Sequence, residues 1–450
     1  LDRLLIDLDA ISASCSVLSP HTWPFALEWL PANAYLVGGN VRDALLGRQA
    51  DYLDLDFVMP QATVETARAI ATHYQAGFVL LDAERQIARV VFRGATVDFA
   101  QQVGDTLESD LQRRDFTVNA IAYDPITDRI IDPVQGYADL QRRLIRMIAP
   151  ENLKEDPLRL LRAYRQAAQL GFVLEPQTQT TVQHLADLLR GIAPERVQAE
   201  LNYLLGSAAG TPFLTAAWHD GLLHDWLPHT TAPRLAWVAA IDHWAIALSQ
   251  RWPTLSTYLY GWVKDQQKVS GAGRSWLRIA KLTCLTAPDP ALAEPELWRL
   301  KYCRAEVQAV LTVLRQMPHL YTVIDAWEGS VPPSRKAQYY FFQKVGTAFP
   351  AVVLLGLAQG VELGAIAPLI EHYLDPTDPV AHPQPLLSGR DLMESLGLPP
   401  SPHIGKLLDA LQLAQAEGTL TTQQDALTLA RHLQADSPPP NPTQAQKVNP

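Results

Sequence analysis

Cysteine and net positive charge are what this chain has least of. Its 450 residues include 3 cysteines, Cys15, Cys284 and Cys303, an odd number and widely spaced. That excludes a disulfide scaffold and a paired-cysteine zinc site, and it fits a reducing, cytoplasmic setting. No uninterrupted apolar run reaches the ~18 residues of a membrane-spanning helix. The opening Leu1-Asp-Arg-Leu-Leu-Ile-Asp-Leu-Asp has early acids in place of the basic-then-apolar pattern of a targeting signal. Lys and Arg total 37 against 47 Asp and Glu, a net charge of -10, so bulk charge gives no sign of a nucleic-acid partner. Phosphate binding depends on the local field, however, and not on the sum. Between residues 113 and 165 the balance turns to 10 basic against 8 acidic side chains, which permits an RNA partner without showing one.

What is present is 48% hydrophobic, enough to build several packed cores. From residue 33 to 146 strand-like and helix-like runs alternate. Ala34 to Val37 reads as a strand, and Gly38-Gly39 opens a helix that runs to Leu46. Leu53 to Val58 reads as a strand, Val64 to Ala76 as a helix, and 78–81, 87–92 and 96–99 as further strands; Gly136 marks a turn. From about 147 to 370 the spacing is helical. A Pro- and Asp-rich connector, Leu374 to Pro385, precedes a last helical unit at 387–434, and the Pro-rich residues 436–450 read as disordered.

The densest chemistry lies in Gly38-Gly39-Asn40-Val41-Arg42-Asp43 followed by Asp54-Leu55-Asp56-Phe57-Val58. Side chains alternate across a strand, so Leu53, Leu55 and Phe57 face a core while Asp54 and Asp56 face the other way together. Two carboxylates this close repel unless a cation lies between them, and hard oxygen donors suit Mg²⁺. Asp98, in Thr96-Val-Asp-Phe, offers a third carboxylate from a neighbouring strand, and three can hold the two metals of nucleotidyl transfer. A bare Asp-x-Asp also suits a solvated edge strand; the preceding glycines favour the metal reading, because they let backbone N–H groups approach phosphate oxygens at a helix start. Arg42 suits a phosphate contact or an ion pair with Asp43.

This ordered set resembles the nucleotidyltransferase head of the bacterial-type (class II) tRNA CCA-adding enzyme and poly(A) polymerase family. The resemblance implies that Asp54 and Asp56 carry the metals with Asp98 assisting, and that Gly38 and Gly39 hold the incoming triphosphate. Arg113-Arg114-Asp115-Phe116-Thr117-Val118-Asn119-Ala120 looks like the family's ribose-sensing block. There Asp115 and Asn119 can bond sugar hydroxyls and Arg114 a phosphate; without the resemblance, Asn119 equally suits a turn brace. Glu155-Asp156-Pro157-Leu158-Arg159-Leu160-Leu161-Arg162 resembles the segment that reads the base, with Asp156 and Arg159 as reader and Arg162 as a secondary candidate. On one helix face, Asp156 and Arg159 offer an acceptor and a donor to the Watson–Crick edge of C or A; the same spacing also suits an i,i+3 ion pair.

The implied fold is α+β. A head with a mixed β-sheet covers 1–146, a neck with base-reading helices 147–205, a helical body 206–374 and a tRNA-binding tail 387–434. The implied partners are the tRNA 3′ end and acceptor arm and CTP, joined by ATP if addition runs on to CCA. Between Asp98 and Arg113 lie 14 residues, where full CCA-adding relatives of this class carry a longer flexible loop. The short form is similar to that of a CC-adding member, whose product a separate A-adding enzyme completes. A complete CCA-adding enzyme, a poly(A) polymerase and a noncatalytic RNA-binding protein are the alternatives.

Overall fold

A computed structural model describes residues 5–6, 17–48, 52–261, 274–328 and 334–435; the expected disordered segment 436–450 and Cys15 lie outside them. The chain divides into two compact units, Leu1–Trp226 and Leu227–Pro450. The first holds the expected head and neck together with the opening of the expected body.

The first unit is built on an eight-stranded mixed sheet. Its strands are β1 (Leu5–Ile6), β2 (Tyr35–Val37), β3 (Leu53–Met59), β4 (Gly77–Asp82), β5 (Ile87–Phe92), β6 (Ala95–Gln101), β7 (Ala122–Asp124) and β8 (Arg129–Ile131), in the order β1-β8-β7-β2-β3-β6-β5-β4. β3 and β6 run parallel at the centre, and the other pairs are antiparallel. Alternation along β3 sends Leu55 and Phe57 into the core, both fully buried, and turns Asp54 and Asp56 to the opposite face. On the core side Phe57 stacks on Phe99 at 5.6 Å and meets Trp23 edge-on at 5.1 Å, a geometry that adds to the area buried. Helix α1 (Gly39–Leu45) follows β2, and α2 (Thr63–His73) packs on β5 and β6.

Helices α3 (Leu107–Gln112), α4 (Gly136–Arg142) and α5 (Pro150–Glu155) lead to α6 (Leu158–Leu170), α7 (Pro176–Leu185), α8 (Pro194–Leu205) and α9 (Thr211–His219). α6 is strongly two-faced: Leu158, Leu161, Ala163, Tyr164 and Ala167 are buried, and the chain leaves it through Gly171 in the left-handed region at φ 70. Gly136, expected as a turn, is the first residue of α4. A Cβ there would lie 2.1 Å from the carbonyl oxygen of Thr117, so no other residue fits without moving backbone.

The second unit is helical from α10 (Ala232–Arg251) and α11 (Pro253–Tyr260) through α12 (Trp276–Leu285), α13 (Pro290–Arg299) and α14 (Arg304–Glu328). Then come α15 (Arg335–Val345), α16 (Phe349–Ala358), α17 (Leu363–Leu374), α18 (Gly389–Leu396), α19 (Pro402–Ala416) and α20 (Gln423–Ala435). The stretch Arg335–Ala358 is long and apolar enough by composition to cross a membrane, but 72% of its most apolar window is buried inside the unit, as a core helix would be. α18, α19 and α20 close on their own core of Leu392, Ile404, Leu407, Leu411 and Ala426.

Gly136→Ala is expected to cost about 1–3 kcal/mol, the usual range for forcing an atom into a filled space. A lower denaturation midpoint would register it, and an unchanged midpoint would mean that the two backbones do not approach this closely.

Candidate active site

The face of the sheet opposite the aromatic core carries the acids. In the β3–β6 ladder Asp54 lies opposite Thr96 and Asp56 opposite Asp98; in the β5–β6 ladder Arg89 lies opposite Asp98. Thr96 Oγ1 donates to Asp54 Oδ1, and Asn40 donates to the Asp54 carbonyl, which ties the start of α1 to β3. Burial, then the charges of Asp54 and Asp98, push the Asp56 carboxyl up to about 7, against the pull of Arg114 and Arg89. An acid held at that value beside a second carboxylate is the electrostatic demand that a hard dication satisfies, so the Asp54–Asp56 pair fits a metal. Asp98, expected as a third donor, is engaged by Arg89 through both oxygens, at 2.6 and 2.7 Å. Among the described residues no three His, Cys, Asp or Glu side chains converge on one metal position.

Gly38 caps α1 at φ 80 and ψ -141, a conformation that L side chains rarely adopt. A Cβ there would lie 3.5 Å from Arg114 Nη1 and 3.8 Å from Asp56 Oδ2, so the glycine lies where a guanidinium and a carboxylate of the acidic face meet. Arg114 is aimed by Asp110, a fully buried acid that also takes Arg113 and the Val103 N–H. Burial raises the Asp110 carboxyl, but Arg114, the Val103 N–H and Arg113 together hold it below its ordinary value.

From this point a cleft of about 440 Å³ opens towards α6. Gly38, Gly39, Arg42, Asp56, Arg114, Asp115, Asn119, Asp156, Arg159 and Arg162 line it, joined by Arg165, Gln166 and Gln169. Asp54 and Asp98 alone of the expected site residues stand outside the lining. Five arginines face three aspartates, so a chain of net charge -10 presents a locally positive cleft. Arg42 pairs with Asp43 at 2.9 Å, as one expected alternative had it, and also donates to Asn119 at 2.7 Å. The Asp115 oxygens accept from the Phe116 N–H, Asn119, Arg162 and Gln166. Burial raises this carboxyl, yet Arg162 and Asn119 keep it below its ordinary value. The Asn119 amide also donates to Gln166 at 2.8 Å.

Asp156 and Arg159 do not share a helix. Asp156 precedes Pro157, which disfavours helical backbone before it, and at φ -131 and ψ 91 it ends α5. Both side chains still face the cleft. Asp156 accepts from Arg196 at 2.8 Å, and Arg159 donates to the carbonyls of Asn152 and Arg113 at 2.8 and 3.0 Å, so the alternative of an i,i+3 ion pair does not form. Sequence reasoning passed over Gln166 and Gln169 as site residues, although with Arg162 they follow the i, i+4, i+7 stripe of one helix face.

With this geometry in view, comparison with known proteins is specific. The poly A polymerase head domain matches residues 34–102 and 96–146, and tRNA nucleotidyltransferase domain 2 matches 274–430. A CC-adding tRNA nucleotidyltransferase of Synechocystis sp. is 48% identical over 91% of the chain and 96% of its own length. An A-adding tRNA nucleotidyltransferase of Deinococcus radiodurans is 33% identical over 91% and 97%. In fold, the chain is similar to the Thermotoga maritima CCA-adding enzyme complexed with tRNA-CCA, with a TM-score of 0.68, 20% identity, and coverage of 89% of this chain and 91% of that one.

The raised Asp56 value carries a sign. The metal-free folded state keeps a proton on Asp56 that the unfolded chain has lost above its ordinary 3.8, so stability falls as pH rises from there through about 7. Melting curves in a chelator are expected to show that fall, on the order of a few kcal/mol, and Asp56→Asn, or Mg²⁺ raised until it saturates even a weak site, to flatten it. Equal slopes in chelator and in saturating Mg²⁺ would remove the metal from this face.

Proposed function

Because the chain belongs to the family of tRNA nucleotidyltransferases and poly(A) polymerases, we propose that it adds two C residues from CTP to the 3′ end of tRNA and releases pyrophosphate. It is an RNA 3′-end nucleotidyltransferase, and the family's reaction assigns work to each wall of the cleft. The terminal 3′-oxygen of tRNA bonds to the α-phosphorus of CTP as its proton leaves, and the bond from that phosphorus to the pyrophosphate oxygen breaks. Asp54 and Asp56, with Asp98 one strand over, would hold Mg²⁺, which would supply the Lewis acidity that this exchange needs. The Gly38 and Gly39 backbone and Arg114 receive the triphosphate, and Arg42 steadies that wall through Asn119. Asn119 and Asp115 border the ribose. Asp156 offers an acceptor to the exocyclic amine of cytosine, Arg159 offers donors to its ring nitrogen and carbonyl, and Arg162 stands beside them.

The observation that carries the reading is the convergence of Asp56, Gly38 and Arg114 at one end of a positively lined cleft that has Asp156 and Arg159 along its wall. A stop at two C residues is supported by the connection after Asp98. There β6 runs to Gln101, Thr106 caps α3 with a capping box, and α3 reaches Gln112, so only residues 102–105 lie outside the strand and the capped helix before Arg113. A separate A-adding enzyme then completes the end, in the cytoplasm where tRNA is processed. The close CC-adding relative supports the same stop, while the A-adding relative shows that overall identity does not set it.

Extension of tRNAs lacking CCA, carrying one C, or carrying both Cs, with CTP and ATP supplied separately and together, tests this. Addition of C up to two, and no A on the substrate with both Cs, is the expected result; one terminal A would make the chain a complete CCA-adding enzyme. Asp54→Ala with Asp56→Ala is expected to lower extension by more than about 10²-fold, the scale of losing one preorganised electrostatic contact, with tRNA binding kept. Arg159→Ala is expected to relax the preference for C by about 1–3 kcal/mol, the worth of one bidentate base contact. Unchanged nucleotide choice would take the base-reading role away from Arg159.

A further inference from the structure

The third carboxylate of the acidic face already has a partner. Arg89 grips Asp98 fork to fork, Nε to Oδ1 at 2.6 Å and Nη2 to Oδ2 at 2.7 Å. Strand register dictates the pairing, since Arg89 lies opposite Asp98 in one ladder and Asp98 opposite Asp56 in the next. Asp56, Asp98 and Arg89 thus follow one another across a single face of the sheet. The bidentate form is the strongest that a carboxylate makes with an arginine, and it gives each Asp98 oxygen a hydrogen-bond donor with which a metal would have to compete. The Asp98 side chain is 19% exposed and that of Arg89 38%, so water screens the pair only in part. The charges of Asp54 and Asp56 also act on Arg89.

We propose that Arg89 is a resident counter-cation of the metal site, and that Asp98 is a positioning residue which holds it there and does not itself ligate metal. This rests on the assignment of Asp54 and Asp56 as the metal-holding pair. Two protein carboxylates then face the dication, and the acidic face carries a charge of -2 where three free carboxylates would give -3. Arg89 repels a free dication at short range, so the site is weak for metal alone. The triphosphate brings the negative charge that makes up the difference, so metal arrives with the nucleotide. The arrangement discourages a tightly bound, unproductive metal ahead of substrate.

The test is Mn²⁺ binding to the full-length protein without nucleotide, read from the electron paramagnetic resonance signal of free Mn²⁺. Wild type is compared with Arg89→Gln, Asp56→Asn and the double variant Arg89→Gln with Asp98→Asn, whose two amides can still bond across the strands. Arg89→Gln is expected to tighten Mn²⁺ binding about tenfold, the effect of removing one like charge at close range. The double variant is expected to bind within about threefold of wild type, since it loses one charge of each sign. Loss of binding in the double variant, with circular dichroism unchanged, would make Asp98 a ligand and overturn the proposal. Affinity in Arg89→Gln no tighter than wild type would remove the counter-cation role. Asp56→Asn keeps the two failures apart: if it still binds Mn²⁺ as wild type does, the metal-holding pair itself is wrongly assigned.

Discussion

The carboxylate of Asp115 is the joint on which the cleft depends. It lies just before the turn at Thr117–Asn119 that leads back into the sheet, and it takes Arg162 and Gln166 from α6. Asn119, bonded to the same acid, passes the connection to Arg42 on α1. Three pieces of chain distant in sequence are thereby fixed around one buried charge. A buried carboxylate left alone would cost several kcal/mol, so every partner is required by every other. Such a network adds little net stability over an apolar core of the same shape. What it supplies is a fixed position for α6 against the acidic face, and the width of the cleft follows from that.

The same device recurs around the cleft wall. Asp110 holds Arg113 and Arg114, Glu200 holds Arg165, and Asp156 accepts from Arg196. Long basic side chains lose much rotamer freedom when they bind a ligand. Here a protein acid has already absorbed part of that loss on one edge of the guanidinium. A chain of net charge -10 can therefore present a positive cleft, because many of its acids lie behind the arginines and orient them.

Much of this was legible because it is local. The two-residue period of β3 separates Leu55 and Phe57 from Asp54 and Asp56 whatever the rest of the chain does. The demand for a glycine at φ 80 likewise belongs to Gly38 alone. What stayed hidden is set by contacts between segments. Arg89 meets Asp98 through the pairing of β5 with β6, and a one-residue slip in that register would part them. The close approach of Gly136 to Thr117 is a meeting of two backbones 19 positions apart in number, with no local mark beyond the glycine itself. The place of Asp156 has a local cause: Pro157 disfavours at Asp156 the helical backbone that the Asp156–Arg159 spacing invites.

The anchoring of the residues proposed to read the base bears on where addition stops. Arg159 is tied to the carbonyls of Arg113 and Asn152, and Asn152 in turn donates to the carbonyls of Gln112 and Arg114. Gln112 is the last residue of α3, the element that fills the short connection after Asp98. On the proposed reading, the donor pattern offered to the base is therefore fixed to that connection. Cytosine and adenine both present an amine beside a ring acceptor, but a purine sets that edge farther from its ribose. Accepting it requires Arg159 to move, and Arg159 cannot move without breaking its bonds to the end of α3. A long free loop could let that end shift; a capped helix pinned through buried Asp110 resists it. The limit on the product then lies less in the residues that read the base than in the rigidity of the segment behind them.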